Sequence, residues 1–169
     1  MRTAPSLLRI PTTWGVIEVQ ARAGKIVSCT LPLCESTPAQ VFKVDGRSRL
    51  DAATEDREVL RRAEKFVVAA LQGRAAACPP LDDTEGGAFG RRARQHLRRV
   101  PLGRTCTYGE LAEAAGSPRA ARAAGTACAG NPLPLFIPCH RVLAAGGKLG
   151  GFSSGLAWKK LLLEREGSS

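Results

Sequence analysis

At 169 residues, 44% hydrophobic and 24% charged, the chain has globular proportions and room for one domain or two small ones packed together; extensive disorder is excluded. No apolar run approaches the roughly 18–20 residues that cross a bilayer, and residues 1–11 lack the apolar core and cleavage site of a signal peptide, so a soluble cytoplasmic protein is expected and no membrane partner. The net charge of +10 is uneven, with 12 Lys+Arg against 10 Asp+Glu over residues 1–83 and 13 against 5 over 84–169, which suits a polyanion bound by the second half.

In chain order, residues 7–13, 16–22 and 25–31 read as strands, rich in branched side chains and punctuated by Gly15 and Ala23-Gly24. Their short links favour an antiparallel meander. Residues 32–53 read as irregular. Residues 54–71 carry Val59, Leu60, Ala63, Phe66, Val67, Ala70 and Leu71 at helical spacing. Thr54 is the expected cap, Glu55 and Asp56 suit the helix dipole, and Gly73 suits the stop. Residues 75–87, with Pro79-Pro80 and Gly86-Gly87, read as a linker, giving domains 1–83 and 84–169.

Residues 89–99 read as a basic helix with Phe89, Ala93 and Leu97 inward and Arg91, Arg92, Arg94, Arg98 and Arg99 outward. Thr107-Tyr108-Gly109-Glu110 is a capping box opening the next helix. Gly116 breaks that helix, and Ser117-Pro118 opens another expected over 118–128. Helix, glycine turn, helix fits a helix–turn–helix, and equally an ordinary helical hairpin. The second helix offers Arg119 and Arg122 on an alanine surface, which predicts close approach to DNA with little sequence preference.

Six cysteines (Cys29, Cys34, Cys78, Cys106, Cys128 and Cys139) form no Cys-x-x-Cys pair, and the histidines are His96 and His140 alone. No metal site is expected, and Cys29 with Cys34 could close a local disulfide. Cys139 and His140 follow an apolar run and Pro138. A thiolate is a nucleophile and an imidazole accepts its proton, but adjacent residues seldom point the same way, so a core cysteine beside a satisfied histidine fits too.

Ile137-Pro138-Cys139-His140-Arg141-Val142 matches the active-site signature of the O6-alkylguanine-DNA alkyltransferases, also called methylated-DNA–protein-cysteine methyltransferases. The chain resembles that family in further blocks: Thr107 to Ala112, Ala120 to Ala123, Gly130-Asn131-Pro132-Leu133-Pro134, Gly155 to Leu162, and Glu166-Gly167. The resemblance covers roughly residues 89–167. It implies an α/β (α+β) protein: a ribonuclease H-like N-terminal sheet with a helix, and a mainly helical C-terminal domain with a winged-helix-like helix–turn–helix.

The resemblance also implies roles. Cys139 accepts an alkyl group from O6 of guanine, irreversibly and once per molecule. His140 deprotonates it through a water, and Glu166 holds His140. Asn131 ties the second helix to the active-site segment, and Tyr108 contacts the flipped nucleotide and helps guanine leave. Arg122 fills the gap in the stack, with Arg119, Ala121 and Thr107 also on DNA. Val142, Leu149, Gly150, Phe152 and Ser153 line the guanine pocket. No cofactor is implied, the partner is duplex DNA carrying O6-alkylguanine, and a monomer is expected. Departures are Ala93-Arg94 where many members have Val-Trp, Phe152 where others often have tyrosine, and no counterpart to the N-terminal zinc ligands of some members. Other readings are a binding-only relative, which would lack the acceptor cysteine, and a cysteine hydrolase, which would leave the basic helices unexplained.

Overall fold

The computed structural model of the chain describes residues 4–35, 38 and 41–168. The fold is mixed α/β. Strands β1 (Ser6–Thr12), β2 (Gly15–Arg22), β3 (Lys25–Thr30) and β4 (Arg49–Asp51) form an antiparallel sheet in the order β3-β2-β1-β4. Alternation does the sorting: Leu8 and Ile10 of β1 and Ile17, Val19 and Ala21 of β2 face the core. β4 lies within the stretch expected to be irregular. All three of its residues are exposed, so it carries no apolar alternation.

The β2–β3 turn places Ala23 and Gly24 both at positive φ, +50° and +70°. That is the pair of left-handed residues a two-residue hairpin turn requires, and alanine adopts it against its preference. Ala23→Gly is expected to gain up to about 1 kcal/mol in urea denaturation; a loss would show that the turn is unstrained.

Helix α1 (Arg57–Leu71) packs on the sheet through Val59, Leu60, Ala63, Val67 and Leu71. Its start differs from expectation. Residues 54–56 form a separate 3-10 turn with no side-chain cap. Asp56 is not a solvated dipole partner but a buried brace: its carboxylate accepts the Ser6 hydroxyl at 2.7 Å and the Gly24 N–H at 2.8 Å. Those long-range donors are unreadable from local sequence. The helix ends as expected at Gly73, where N–H groups of Gly73 and Arg74 return to Ala70 and Ala69. Only glycine fits here, since a Cβ would lie 1.8 Å from the Arg165 carbonyl oxygen.

The segment between α1 and α2 (Ala88–Leu97) is pinned to β3, with Ile26 N–H bonded to Pro80 and Asp82 N–H to Ile26. In α2, Ala93 and Leu97 are buried as expected. Arg94 is not on the outer face. It is buried, ion-paired with Asp83 and bonded to the Glu85 carbonyl. A buried guanidinium needs such a partner, and the partner sits in the segment read as linker.

The Thr107–Glu110 capping box is present at the start of α3 (Tyr108–Ala114), and Gly116, at φ +83°, ends that helix. α4 (Ala121–Ala129) starts three residues later than expected. Ala120, at φ −100° and ψ +33°, is not helical, so Ser117-Pro118 forms a turn closed by Ala120 N–H to Ser117 and Arg119 lies in that turn. α3 and α4 pack on α2 as the helix–turn–helix. A two-stranded parallel ladder joins β5 (Cys106–Thr107) to β6 (Val142–Leu143), and α5 (Leu156–Arg165) closes the chain.

One hydrophobic core runs through both halves. Phe66 of α1 stacks on Phe136 at 5.0 Å. Trp158 of α5 meets Trp14 and Phe42 edge to face at 5.0 and 5.4 Å, and its Nε1–H donates to Pro32 at 2.7 Å. Cys29, Cys78, Cys106, Cys128 and Cys139 are free thiols, so the disulfide considered between Cys29 and Cys34 is not formed. Among the described residues no helix is long and apolar enough to cross a membrane.

Candidate active site

After α4 the chain doubles back through residues 131–138 to present Cys139 and His140 on a short 3-10 turn. Leu135 takes φ +72° in this bend, a conformation a branched apolar residue adopts only when its surroundings enforce it. Asn131 supplies much of that enforcement. It is buried, its Oδ1 accepts the Leu133 N–H at 3.0 Å, and its Nδ2 donates to the Ile137 carbonyl at 2.9 Å. The same Nδ2 lies 3.3 Å from Cys139 Sγ. Asn131 therefore touches the thiol itself as well as bracing the bend.

Cys139 is 4% exposed. Burial pushes its thiol up, while the Asn131 N–H, the Lys159 ammonium and nearby backbone N–H groups pull it down; burial wins. At rest the sulfur is a thiol, and a base is needed to make it a nucleophile.

A candidate base is adjacent. His140 Nε2 lies 2.8 Å from Glu166 Oε1, and both side chains are 2% exposed. Burial holds the imidazole below its ordinary pKa, outweighing the carboxylate that pulls it up, so it is neutral. Glu166 receives the Nε2–H, Arg141 donates to both its oxygens at 2.9 and 3.0 Å, and the Gly103 amide adds a longer bond at 3.4 Å. Burial alone would raise the Glu166 pKa; these donors overcome it and hold it at about 2. A fixed carboxylate on Nε2 leaves Nδ1 as the lone-pair nitrogen. Nδ1 is buried and bonds no protein group among the described residues.

Beside Cys139 opens a pocket of about 250 Å³, lined also by Tyr108, Gly125, Cys128, Ala129, Gly151, Phe152 and Ser153. Tyr108 starts α3, so the capping box that opens the helix also aims its ring. Burial raises the Tyr108 pKa, as do the nearby sulfurs of Cys128 and Cys139, and the Gly151 N–H on its oxygen lowers it. Gly150 lies directly against the ring, where a Cβ would come within 3.1 Å. Val142 is buried but does not line this pocket. Leu149 is not brought to it and lines a separate cavity with Leu143 and Leu163. Arg119, Ala121 and Arg122 are exposed on the helix–turn–helix and do not line the pocket, and Thr107 is occupied as the α3 cap.

Two residues of this site were not anticipated. Lys159 is fully buried, with its Nζ bonded to the Val142 carbonyl at 2.6 Å and the Gly151 carbonyl at 3.1 Å, and it lies 5.9 Å from the Tyr108 ring centre. It thus joins the Cys139 segment to the pocket loop and places a positive charge near both thiols. Cys128 is the second thiol of the pocket, and burial pushes it up to about 12. Helical spacing held a signal for both: Lys159 falls on the face of Trp158 and Leu162, and Cys128 on that of Ala124.

Residues 88–168 match the family described as "6-O-methylguanine DNA methyltransferase, DNA binding domain". The methylated-DNA–protein-cysteine methyltransferase of Methanosarcina acetivorans is 40% identical over 118 residues, 70% of this chain and 76% of that protein. The one from Mycolicibacterium paratuberculosis is 48% identical over 84 residues, about half of each chain (50% and 51%). Among solved structures, Mycobacterium tuberculosis OGT in complex with DNA superposes with a TM-score of 0.74 at 29% identity, covering 94% of this chain and 91% of that one. Forty per cent identical to a protein of which it covers 76%, this chain belongs to the methylated-DNA–protein-cysteine methyltransferase family.

Proposed function

We propose that the chain repairs DNA by taking an alkyl group from O6 of guanine onto Cys139 Sγ, one group per molecule. The observation that carries this reading is a buried thiol next to a neutral histidine fixed by a carboxylate, at the edge of a pocket with an aromatic wall. Nδ1 of His140 takes the thiol proton through a bridging water. The Asn131 N–H and the Lys159 ammonium favour the thiolate once it forms. Sulfur attacks the alkyl carbon in line, the carbon–O6 bond breaks, its electron pair passes to the purine, and the purine takes up the proton. The Tyr108 hydroxyl, lining the same pocket, assists that last step.

The product is a thioether, which water does not cleave, so the protein is consumed. O6 lies inside the stacked duplex, and Cys139 is buried, so the nucleotide must turn out to reach it. Exposed Arg122 on α4 is suited to take its place in the stack, with Arg119 and Ala121 alongside on the backbone. A small alanine face with few hydrogen-bonding side chains gives little sequence preference. We assign the working form as a cytoplasmic monomer that uses no cofactor.

The test is intact mass after incubation with duplex DNA containing O6-methylguanine. A gain of about 14 Da mapped to Cys139, and absent from Cys139→Ser, is expected for a one-step covalent transfer. Tight binding of the lesion with no change of mass would replace this reading by a binding-only one.

A further inference from the structure

The positive charge of the second half is not concentrated on α4, where Arg122 is the lone Lys or Arg. Three of its arginines, Arg98, Arg99 and Arg104, stand where two clefts meet at the turn after α2, and Arg62 and Arg74 of the first half join them. One cleft, about 380 Å³, lies between α1, the segment after Gly73 and that turn; the other, about 410 Å³, lies between the turn and α3. Arg99, Val100 and Pro101 wall both. Arg74 and Arg98 stand on the first, His96 and Arg104 on the second, and Arg62 lies close to Cys78 in the first.

The carboxylates lining these clefts are already occupied. Glu166 is held by Arg141 and His140, and Glu110 by the amide and hydroxyl of Thr107. Among the described residues, Arg62, Arg74, Arg98, Arg99 and Arg104 are in no salt bridge. A helix C-terminus attracts positive side chains, which accounts for Arg98 and Arg99. The same holds for Arg74 at the end of α1, but not for Arg62 inside α1 or Arg104 beyond the turn, nor for the meeting of both helix ends at one place. Gathering five unneutralised guanidinium groups costs repulsion that a polyanion relieves.

We propose that this arginine ridge is a second phosphate-binding surface, which grips DNA backbone outside the helix–turn–helix contact. It rests on the DNA-repair reading above. The phosphates belong either to the flank of the same duplex or to a second duplex. Guanidinium forks suit phosphate oxygens in pairs, and the clefts give them room to do so without displacing the core.

The experiment measures affinity for a long duplex against salt for the full chain, for Arg98→Ala/Arg99→Ala/Arg104→Ala, and for Arg47→Ala/Arg49→Ala/Arg57→Ala, which removes equal charge elsewhere. Loss of the ridge contacts is expected to lower the salt slope by about 2–3, and the control by less than about 1. The triple lysine variant of the ridge, which keeps the charge, is expected to retain the slope and excludes a folding defect as the cause. Capture of a second labelled duplex by protein already on an immobilised one assigns the phosphates to a second duplex; a changed slope without capture assigns them to the flank. An unchanged slope in the alanine variant overturns the proposal. Alkyl transfer to Cys139 is read by mass in the same samples, so absence of transfer in the unaltered chain removes the repair reading separately.

Discussion

Glu166→Gln is expected to slow alkyl transfer by roughly 10²–10⁴-fold, the contribution of a well-placed base and its orienting carboxylate. The amide keeps the shape of the side chain but no longer fixes the proton on Nε2, so the Nδ1 lone pair is no longer guaranteed to face the thiol. It also leaves the Arg141 guanidinium, 14% exposed, without its counter-charge. Breaking such a pair costs about 3–5 kcal/mol when the remaining charge stays buried. The two effects separate by measurement: single-turnover mass spectrometry reads the first and urea denaturation the second. Acid stability gives an independent check. The folded carboxyl titrates at about 2 against an ordinary 4.5, so its stabilisation is complete above pH 4.5 and is lost as pH falls toward 2. The glutamine variant should lack that step. Transfer at the normal rate would show that His140 does not depend on the Glu166 carboxylate.

Trp158→Ala is expected to cost about 3–5 kcal/mol, a large part of the roughly 5–15 kcal/mol that holds a domain of this kind together. The ring is fully buried, packs edge to face on Trp14 and Phe42, and spends its one N–H on Pro32. Every one of those contacts joins the C-terminal helix to the N-terminal half. The site depends on that junction, because the next residue, Lys159, ties Val142 to Gly151 beside the thiol. Trp158→Phe should lose less, keeping an aromatic face without the hydrogen bond. A loss below about 1 kcal/mol for the alanine variant would mean that the cluster closes over the gap.

What the sequence made legible was whatever repeats or caps locally. Leu8 and Ile10 against Arg9, Val67 and Leu71 one turn apart, and Thr107 three residues before Glu110 each announce their own geometry. The thiol and its partners were legible through the signature around Cys139 and through Glu166. Features set by distant partners were not. Arg94 reads as a surface arginine until Asp83 is placed beside it, and Asp56 as a helix-start acid until Ser6 and Gly24 arrive. Lys159 was hidden by the general rule that lysine stays in water, although its spacing with Trp158 and Leu162 put it on the buried face. Leu149 lies within the pocket loop in sequence, yet it lines a different cavity. Loop direction is decided by positive-φ glycines such as Gly146, Gly147 and Gly150, and sequence order alone does not give it.

The aromatic cluster also endows the chain with a built-in optical label. Trp14 and Trp158 are its two tryptophans and lie 5.0 Å apart, so their emission is shared and comes from a single spot in the molecule. Neither lines the Cys139 pocket. Tryptophan emission, excited selectively over that of Tyr108 in the pocket wall, will therefore follow the parting of the two halves during unfolding, while a titration with DNA is better read from a dye carried by the nucleic acid.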